Sequence, residues 1–193
     1  TAPPIDLPPS LEAARPLEYH RVRVTGRFAN DRELYLGATS PNGRAGYQVI
    51  TPLNLADGSS ILVNRGFIPQ ERKAPDSRAA GELEGDVTVT GLLRLPPAGK
   101  PHWFIPANSP ERNYWIYVDL PAMAAAAHVD RVLPFYVDAD ATPNPGGLPI
   151  GGQTPIELPN DHLQYAITWY ALAAGLAVIY ILFIRRRVQG ESV

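Results

Sequence analysis

Tyr165-Ala-Ile-Thr-Trp-Tyr-Ala-Leu-Ala-Ala-Gly-Leu-Ala-Val-Ile-Tyr-Ile-Leu-Phe-Ile184 is an apolar run without a charge, and Arg185, Arg186 and Arg187 follow it at once. A helix of about 20 residues rises about 30 Å, the thickness of a bilayer's hydrocarbon core. The stretch therefore predicts a membrane-spanning helix. A buried core helix is the alternative, but uncharged runs of this length are rare in soluble cores. The approach, residues 156–164, holds Glu157 and Asp161 and no Lys or Arg. By the positive-inside tendency the tail is cytoplasmic and everything before the helix lies outside. Tyr165 and Trp169 fall in the first two turns, where an interfacial aromatic belt belongs. The arginine triplet is expected to snorkel to anionic lipid headgroups.

That orientation bears on the other end. The chain begins Thr1-Ala2-Pro3-Pro4, with neither an initiator Met nor a basic or apolar leader. We expect a preceding segment, either a cleaved signal or, preferred here, a first membrane helix. Ala171 and Gly175, and Ala173 and Ala177, have the small-xxx-small spacing that lets another helix approach. The same residues also fill ordinary spans.

Composition narrows the exterior part. The net charge of −2 gives no electrostatic case for nucleic acid. The absence of Cys removes disulfides, thiolate catalysis, iron–sulfur clusters and zinc knuckles. A single Met leaves no soft ligand set for Cu(I). No glycine-rich phosphate loop, nucleophile elbow or zinc-hydrolase spacing is present, and no catalytic set is expected.

Proline clusters at 3–16, 96–110 and 143–159 read as extended or looped chain, because proline fixes φ and removes a donor. The organisation expected is a lead-in over 1–19, a β-rich domain over 20–140, a Pro/Gly linker over 141–159, a membrane helix over 160–184 and a tail over 185–193. Strands are expected at 22–28, 33–36, 46–53, 60–66, 86–94, 113–118 and 132–137, where apolar residues alternate or cluster. Asp57-Gly58 is a turn dipeptide between two of them. Val22-Arg-Val-Thr-Gly26 and Val87-Thr-Val-Thr-Gly91 share a pattern whose glycines mark a bulge or bend. The fold class expected is α+β, mainly antiparallel β, a curved sheet or partial barrel, plus the C-terminal membrane helix. One soluble helix is expected over 120–128, capped by Asp119.

Four histidines are available. His20 and His128 read as surface or structural groups, and neither these nor His102 has metal-ligand spacing. His162 stands where the helix enters the membrane. In helical projection it shares one side with Tyr165, Ala166 and Trp169. An imidazole above a ring-lined apolar face suits an amphipathic planar ligand such as haem, with nitrogen on the iron and propionates toward water. An interfacial His that only anchors the helix is the other reading. Arg65, in Asn64-Arg65-Gly66, is a second candidate. Its guanidinium suits a propionate or an acidic partner, or else pins a loop to backbone carbonyls.

Gly46-Tyr-Gln-Val-Ile-Thr-Pro-Leu53, Ile61-Leu-Val-Asn-Arg-Gly-Phe-Ile-Pro69 and Asn160-Asp-His-Leu-Gln-Tyr-Ala-Ile-Thr-Trp-Tyr170 together resemble the surfeit-locus (SURF) family of cytochrome c oxidase assembly factors. Phe104-Ile-Pro-Ala-Asn108 and Trp115–Asp119 are also similar. The resemblance runs from about residue 20 to 184. It implies a bacterial plasma membrane or mitochondrial inner membrane protein, with two membrane helices and a domain between them on the outer side. It implies haem a as transient cofactor, with His162 at the family's proposed haem-binding histidine. Asp161 stands where the family usually has Asn, and Phe67 where it usually has Trp. Asp161 places a negative charge beside the site or raises the basicity of His162.

The expected function is that of a non-enzymatic assembly factor, which receives haem a from its synthase and passes it to the oxidase catalytic subunit. The expected site is His162 as metal ligand with Tyr165, Trp169 and Arg65 as haem contacts. Partners are then the catalytic subunit, haem a synthase and the lipid bilayer, and not nucleic acid. The alternative is a cofactor-free scaffold that stabilises an oxidase intermediate through protein contacts. A sensor is disfavoured by the short tail, and an outer-face hydrolase by the absence of a suitable Ser, His and acid spacing.

Overall fold

The computed structural model describes residues 3–40, 42–153 and 162–190, with side chains excluded at 162 and 186–190. The chain divides into two units, Thr1–Thr154 and Pro155–Val193.

The first unit opens with β1 (Ile5–Asp6) and the single-turn helix α1 (Leu11–Ala14). Ser10 Oγ accepts from the Ala13 N–H and caps α1, and Ala14 is fully buried in the main core. Residues expected to be only a lead-in thus belong to the folded domain. Strands β2 (Arg21–Phe28), β3 (Leu34–Thr39), β4 (Ala45–Asn54), β5 (Ser60–Pro69), β6 (Val87–Arg94) and β7 (Val132–Ala139) follow, with helix α2 (Leu120–Ala126) between the last two.

The strands run β1-β2-β6-β7-β5-β4-β3, and β2 also pairs with β4. That extra pairing, Arg27 opposite Asn54 and Phe28 opposite Leu53, closes β2, β6, β7, β5 and β4 into a five-stranded barrel. The expected curved sheet is therefore closed, with β1 and β3 as additions. All strand pairs are antiparallel except β1–β2 and β5–β7. The repeated Val-x-Val-Thr-Gly segments lie against each other, Val22 opposite Gly91 and Gly26 opposite Val87. Their glycines sit where backbones crowd. A Cβ on Gly26 would come within 2.4 Å of the Asn54 carbonyl oxygen, and one on Gly91 within 2.2 Å of that of Asp138. Gly26 lets β2 close on β4, and Gly91 lets β6 approach β7, because neither position has a side chain.

Strand β5 is buried from Ser60 to Ile68 because both of its faces are covered. Ile61 and Val63 join Val22, Val24, Leu53, Leu93, Phe135 and Val137 in the main core. Leu62, on the opposite face, joins Leu34, Ile50, Trp115, Leu120 and Met123 under α2. Asp119 Oδ1 accepts from the Ala122 N–H and starts α2 as expected. The Asp57-Gly58 turn between β4 and β5 also forms, with Gly58 at φ +78° and Asp57 Oδ1 accepting from Ser59 N–H.

Asn113–Val118 is not the strand expected. Asn113 is left-handed at φ +47°, and Asn108 Oδ1 takes the N–H groups of Ile116 and Tyr117. A side chain thereby occupies the donors a ladder would need. Only Trp115 pairs with β3, as a parallel bridge to Leu36. Its indole is fully buried and donates from Nε1 to Asn113 Oδ1. The third proline cluster is also less free than a linker, since Ile150 bridges antiparallel to Phe67 at the end of β5.

The second unit holds helix α3 (His162–Gly190). Leu163–Arg185 contains an 18-residue window with a mean hydropathy of 2.2 and is long and apolar enough to cross a membrane. Helix α3 continues through the arginines, beyond the expected end at 184.

Candidate functional site

Tyr165 and Trp169, expected to share a face with His162, lie in the first turns of α3. His162 is its first residue, while the His162 side chain and the whole of Asp161 lie outside the described residues. Tyr165 and Trp169 are four residues apart and so adjacent on one face. They stand 67% and 68% exposed on the isolated helix. Gln164, Thr168 and Leu172 complete a shallow surface around them. Thr168 Oγ1 donates to the Gln164 carbonyl at 2.8 Å, which turns its hydroxyl back onto the helix and leaves a methyl outward. The face mixes the two rings and Leu172 with the polar Gln164 and Thr168.

Arg65 belongs to the other unit and has a different environment. Its side chain is 2% exposed. Nη2 donates to the Gly81 carbonyl, Nη1 donates to Asn30 Oδ1 at 3.3 Å and Glu33 Oε1 at 3.5 Å, and the guanidinium lies 4.5 Å over the Phe28 ring. Glu33 in turn accepts two bonds from Arg78, and Arg78 also pairs with Glu82. The result is two arginines and two glutamates enclosed together, with balanced charge. Burial depresses the Arg65 guanidinium from its usual value, against the pull of Glu82 and Glu33. Burial and the Glu33 charge push the Glu82 carboxyl up. For Arg78, burial acts downward and the bonds and charge of Glu33 and Glu82 outweigh it.

Arg65 also lines a cavity of about 240 Å³ with Phe28, Val63, Val87, Val89 and Ala139. Ligand pockets for drug-sized molecules run from about 300 to 1,000 Å³, so this space is too small to seat a macrocycle. Arg65 does what the second of its two readings described, holding a loop by a backbone carbonyl. Elsewhere, among the described residues, no three His, Asp or Glu side chains converge as a metal site.

The SURF1 family matches residues 1–174. The chain belongs to that family. It is 39% identical over 196 residues to Surfeit locus protein 1 of Takifugu rubripes, covering 93% of this chain and 80% of that protein. It is 39% identical to the Mus musculus protein of that name and 38% identical to the Homo sapiens one, covering 96% and 93% of this chain. It spans less than two thirds of each of those two relatives, 64% and 63%.

In this SURF1-family chain, sequence reading missed Glu33, Arg78 and Glu82. Glu33 was visible as an acid at a strand start. Nothing local marked Arg78, which lies in the excursion between β5 and β6 and reaches Glu33 only through the closed barrel. Arg78 also donates to the carbonyls of Arg72 and Lys73, so the cluster clamps residues 70–82 against the barrel wall.

Proposed function

We propose that this protein is a membrane-anchored assembly factor for cytochrome c oxidase, which holds haem a at the start of α3 and assists its insertion into the catalytic subunit. Membership of the SURF1 family supports a role in cytochrome c oxidase assembly. The observation that carries the haem reading is the pair of exposed rings, Tyr165 and Trp169, on the face that begins at His162. When bound, haem would supply an iron centre in search of an axial ligand and a flat apolar surface. His162 is the residue to ligate it, with Tyr165 and Trp169 against the ring. A single protein ligand, His162, would suit reversible holding. Arg65 is left out of this site, since its guanidinium is enclosed by Glu33, Glu82 and Gly81.

The protein acts without catalysis of its own, in a bacterial plasma membrane or mitochondrial inner membrane. Helix α3 is the anchor, the barrel lies on the outer side and the C-terminus in the cytoplasm or matrix. Haem a synthase is the donor and the oxidase catalytic subunit the acceptor. The test is co-expression of the full chain with haem a synthesis, followed by the visible spectrum of the purified protein. Haem a absorbance in the parent, lost in His162→Ala at equal expression, is the expected result. Absence of the chromophore from both leaves a cofactor-free scaffold.

A further inference from the structure

A pair of strongly exposed aromatic rings lies on the barrel unit. Between β6 and the turn at Pro110–Arg112 the backbone is irregular, and its tip is Lys100-Pro-His-Trp-Phe-Ile-Pro106. The Ile105 N–H donates to the His102 carbonyl at 3.2 Å, which closes a turn with Trp103 and Phe104 at its two central positions. Trp103 is 89% exposed and Phe104 66%. His102 stacks on Phe104 at 5.2 Å, and Trp103 meets Phe104 edge-on at 5.9 Å. Lys100 Nζ donates to the Trp103 carbonyl at 3.4 Å, which holds a cation beside them.

Two adjacent large rings displayed at a turn call for a partner that takes apolar surface. We infer that this loop is a second membrane contact, in which Trp103 and Phe104 enter the lipid–water interface beside the bilayer spanned by α3. Four features favour lipid. Tryptophan is at home at the headgroup level, with an apolar body and a polar N–H. Residues 95–107 contain no Asp or Glu and one Lys, in a chain whose net charge is −2, so the loop's charge complements anionic lipid. Pro96, Pro97, Pro101 and Pro106 stiffen the loop, which lowers the entropy lost on insertion. Finally, α3 makes the bilayer a permanent neighbour of the domain. Loop insertion is then intramolecular, and weak intrinsic affinity suffices.

The inference rests on α3 being embedded in lipid, and the test separates the two. The chain has no Cys, so one introduced thiol is labelled uniquely. Full chain carrying His102→Cys, Glu111→Cys or Leu176→Cys is coupled to an environment-sensitive dye and placed in phosphatidylcholine–phosphatidylglycerol nanodiscs. Each is titrated with iodide and, separately, prepared with doxyl-labelled lipid. Residue 176 should be quenched by the lipid spin label and residue 111 by iodide. Residue 102 should follow 176, with a blue-shifted emission. Adding Trp103→Ser and Phe104→Ser to His102→Cys should return it to iodide. If 176 is lipid-quenched and 102 behaves as 111 does, the loop contact is wrong while the anchor stands. If 176 itself escapes lipid quenching, both fall. Shielding of 102 only after purified oxidase subunit is added would make the occupant a protein and overturn the lipid assignment.

Discussion

Arg78 and Glu33 form a two-pronged ion pair across 45 residues of chain, Nη2 to Oε2 at 2.5 Å and Nη1 to Oε1 at 3.2 Å, with both side chains no more than 2% exposed. A fork-to-fork pair of this kind fixes orientation as well as charge. Around it, Arg65 and Glu82 balance the charges, and Tyr35 and Thr51 hydroxyls donate to the Glu33 carboxylate. The cluster joins β3, β5 and the segment before β6.

Removing one partner strands the others. Arg78→Met should destabilise the barrel unit by about 3–5 kcal/mol, because breaking a buried pair leaves an uncompensated charge. Glu33→Gln should fall in the same range. Denaturant titration of the full chain in detergent, followed by near-ultraviolet circular dichroism, measures this. Retention of the parent midpoint in Arg78→Met would contradict the role given to the cluster.

Gly26→Ala should open the seam of the barrel. The new Cβ would press on the Asn54 carbonyl oxygen at 2.4 Å, which is backbone and has little room to move. Overpacking of this kind costs about 1–3 kcal/mol. Faster amide exchange at Arg27 and Phe28, where β2 meets β4, should accompany the loss. A variant with unchanged exchange there would show that the seam tolerates a methyl.

Two tyrosines should resist alkaline titration. Burial, reinforced by the Glu33 charge, pushes the Tyr35 hydroxyl up to about 12, and burial with Asp138 pushes that of Tyr136 up to about 12. The unfolded chain loses these protons near pH 10. The stability they contribute is complete below that value and is lost as pH rises through about 12. Ultraviolet difference titration should show a late phase, smaller in Tyr136→Phe. A single phase near pH 10 would mean the hydroxyls are not shielded.

The two functional candidates should separate by variant. Trp169→Leu and Tyr165→Leu keep α3 apolar and should lower bound haem a while leaving barrel stability intact. Arg65→Lys loses the planar fork and one of its bonds to Glu33 or Gly81, and should lower stability with haem stoichiometry unchanged in the folded fraction. Paired absorbance and unfolding measurements decide this. Loss of haem in folded Arg65→Lys would return that residue to the site.

The β4–β5 hairpin shows why some of the fold was readable. Asp57-Gly58, flanked by apolar runs, specifies a local turn whose partners are near in sequence. Asp119 before Leu120 and Pro121 does the same for α2, and so does the uncharged run for α3. Asn113–Val118 was misread because its aromatic alternation matches a strand. The backbone donors there are taken by Asn108, eight and nine residues upstream, a pairing that no period reveals. The paired Val-x-Val-Thr-Gly segments were visible as a repeat, but their use as facing strands was not.

By itself, then, the amino-acid sequence determined the apolar helix, the β-rich character of the domain and the family. All of these depend on composition or on contacts within a few residues. Tertiary structure alone decided that the sheet closes between β2 and β4, that Arg65 is enclosed among Glu33, Arg78 and Glu82, and that Trp103 stands free at a turn. Burial and ion pairing are relations between segments far apart in the chain, and they become defined only when the barrel brings those segments together.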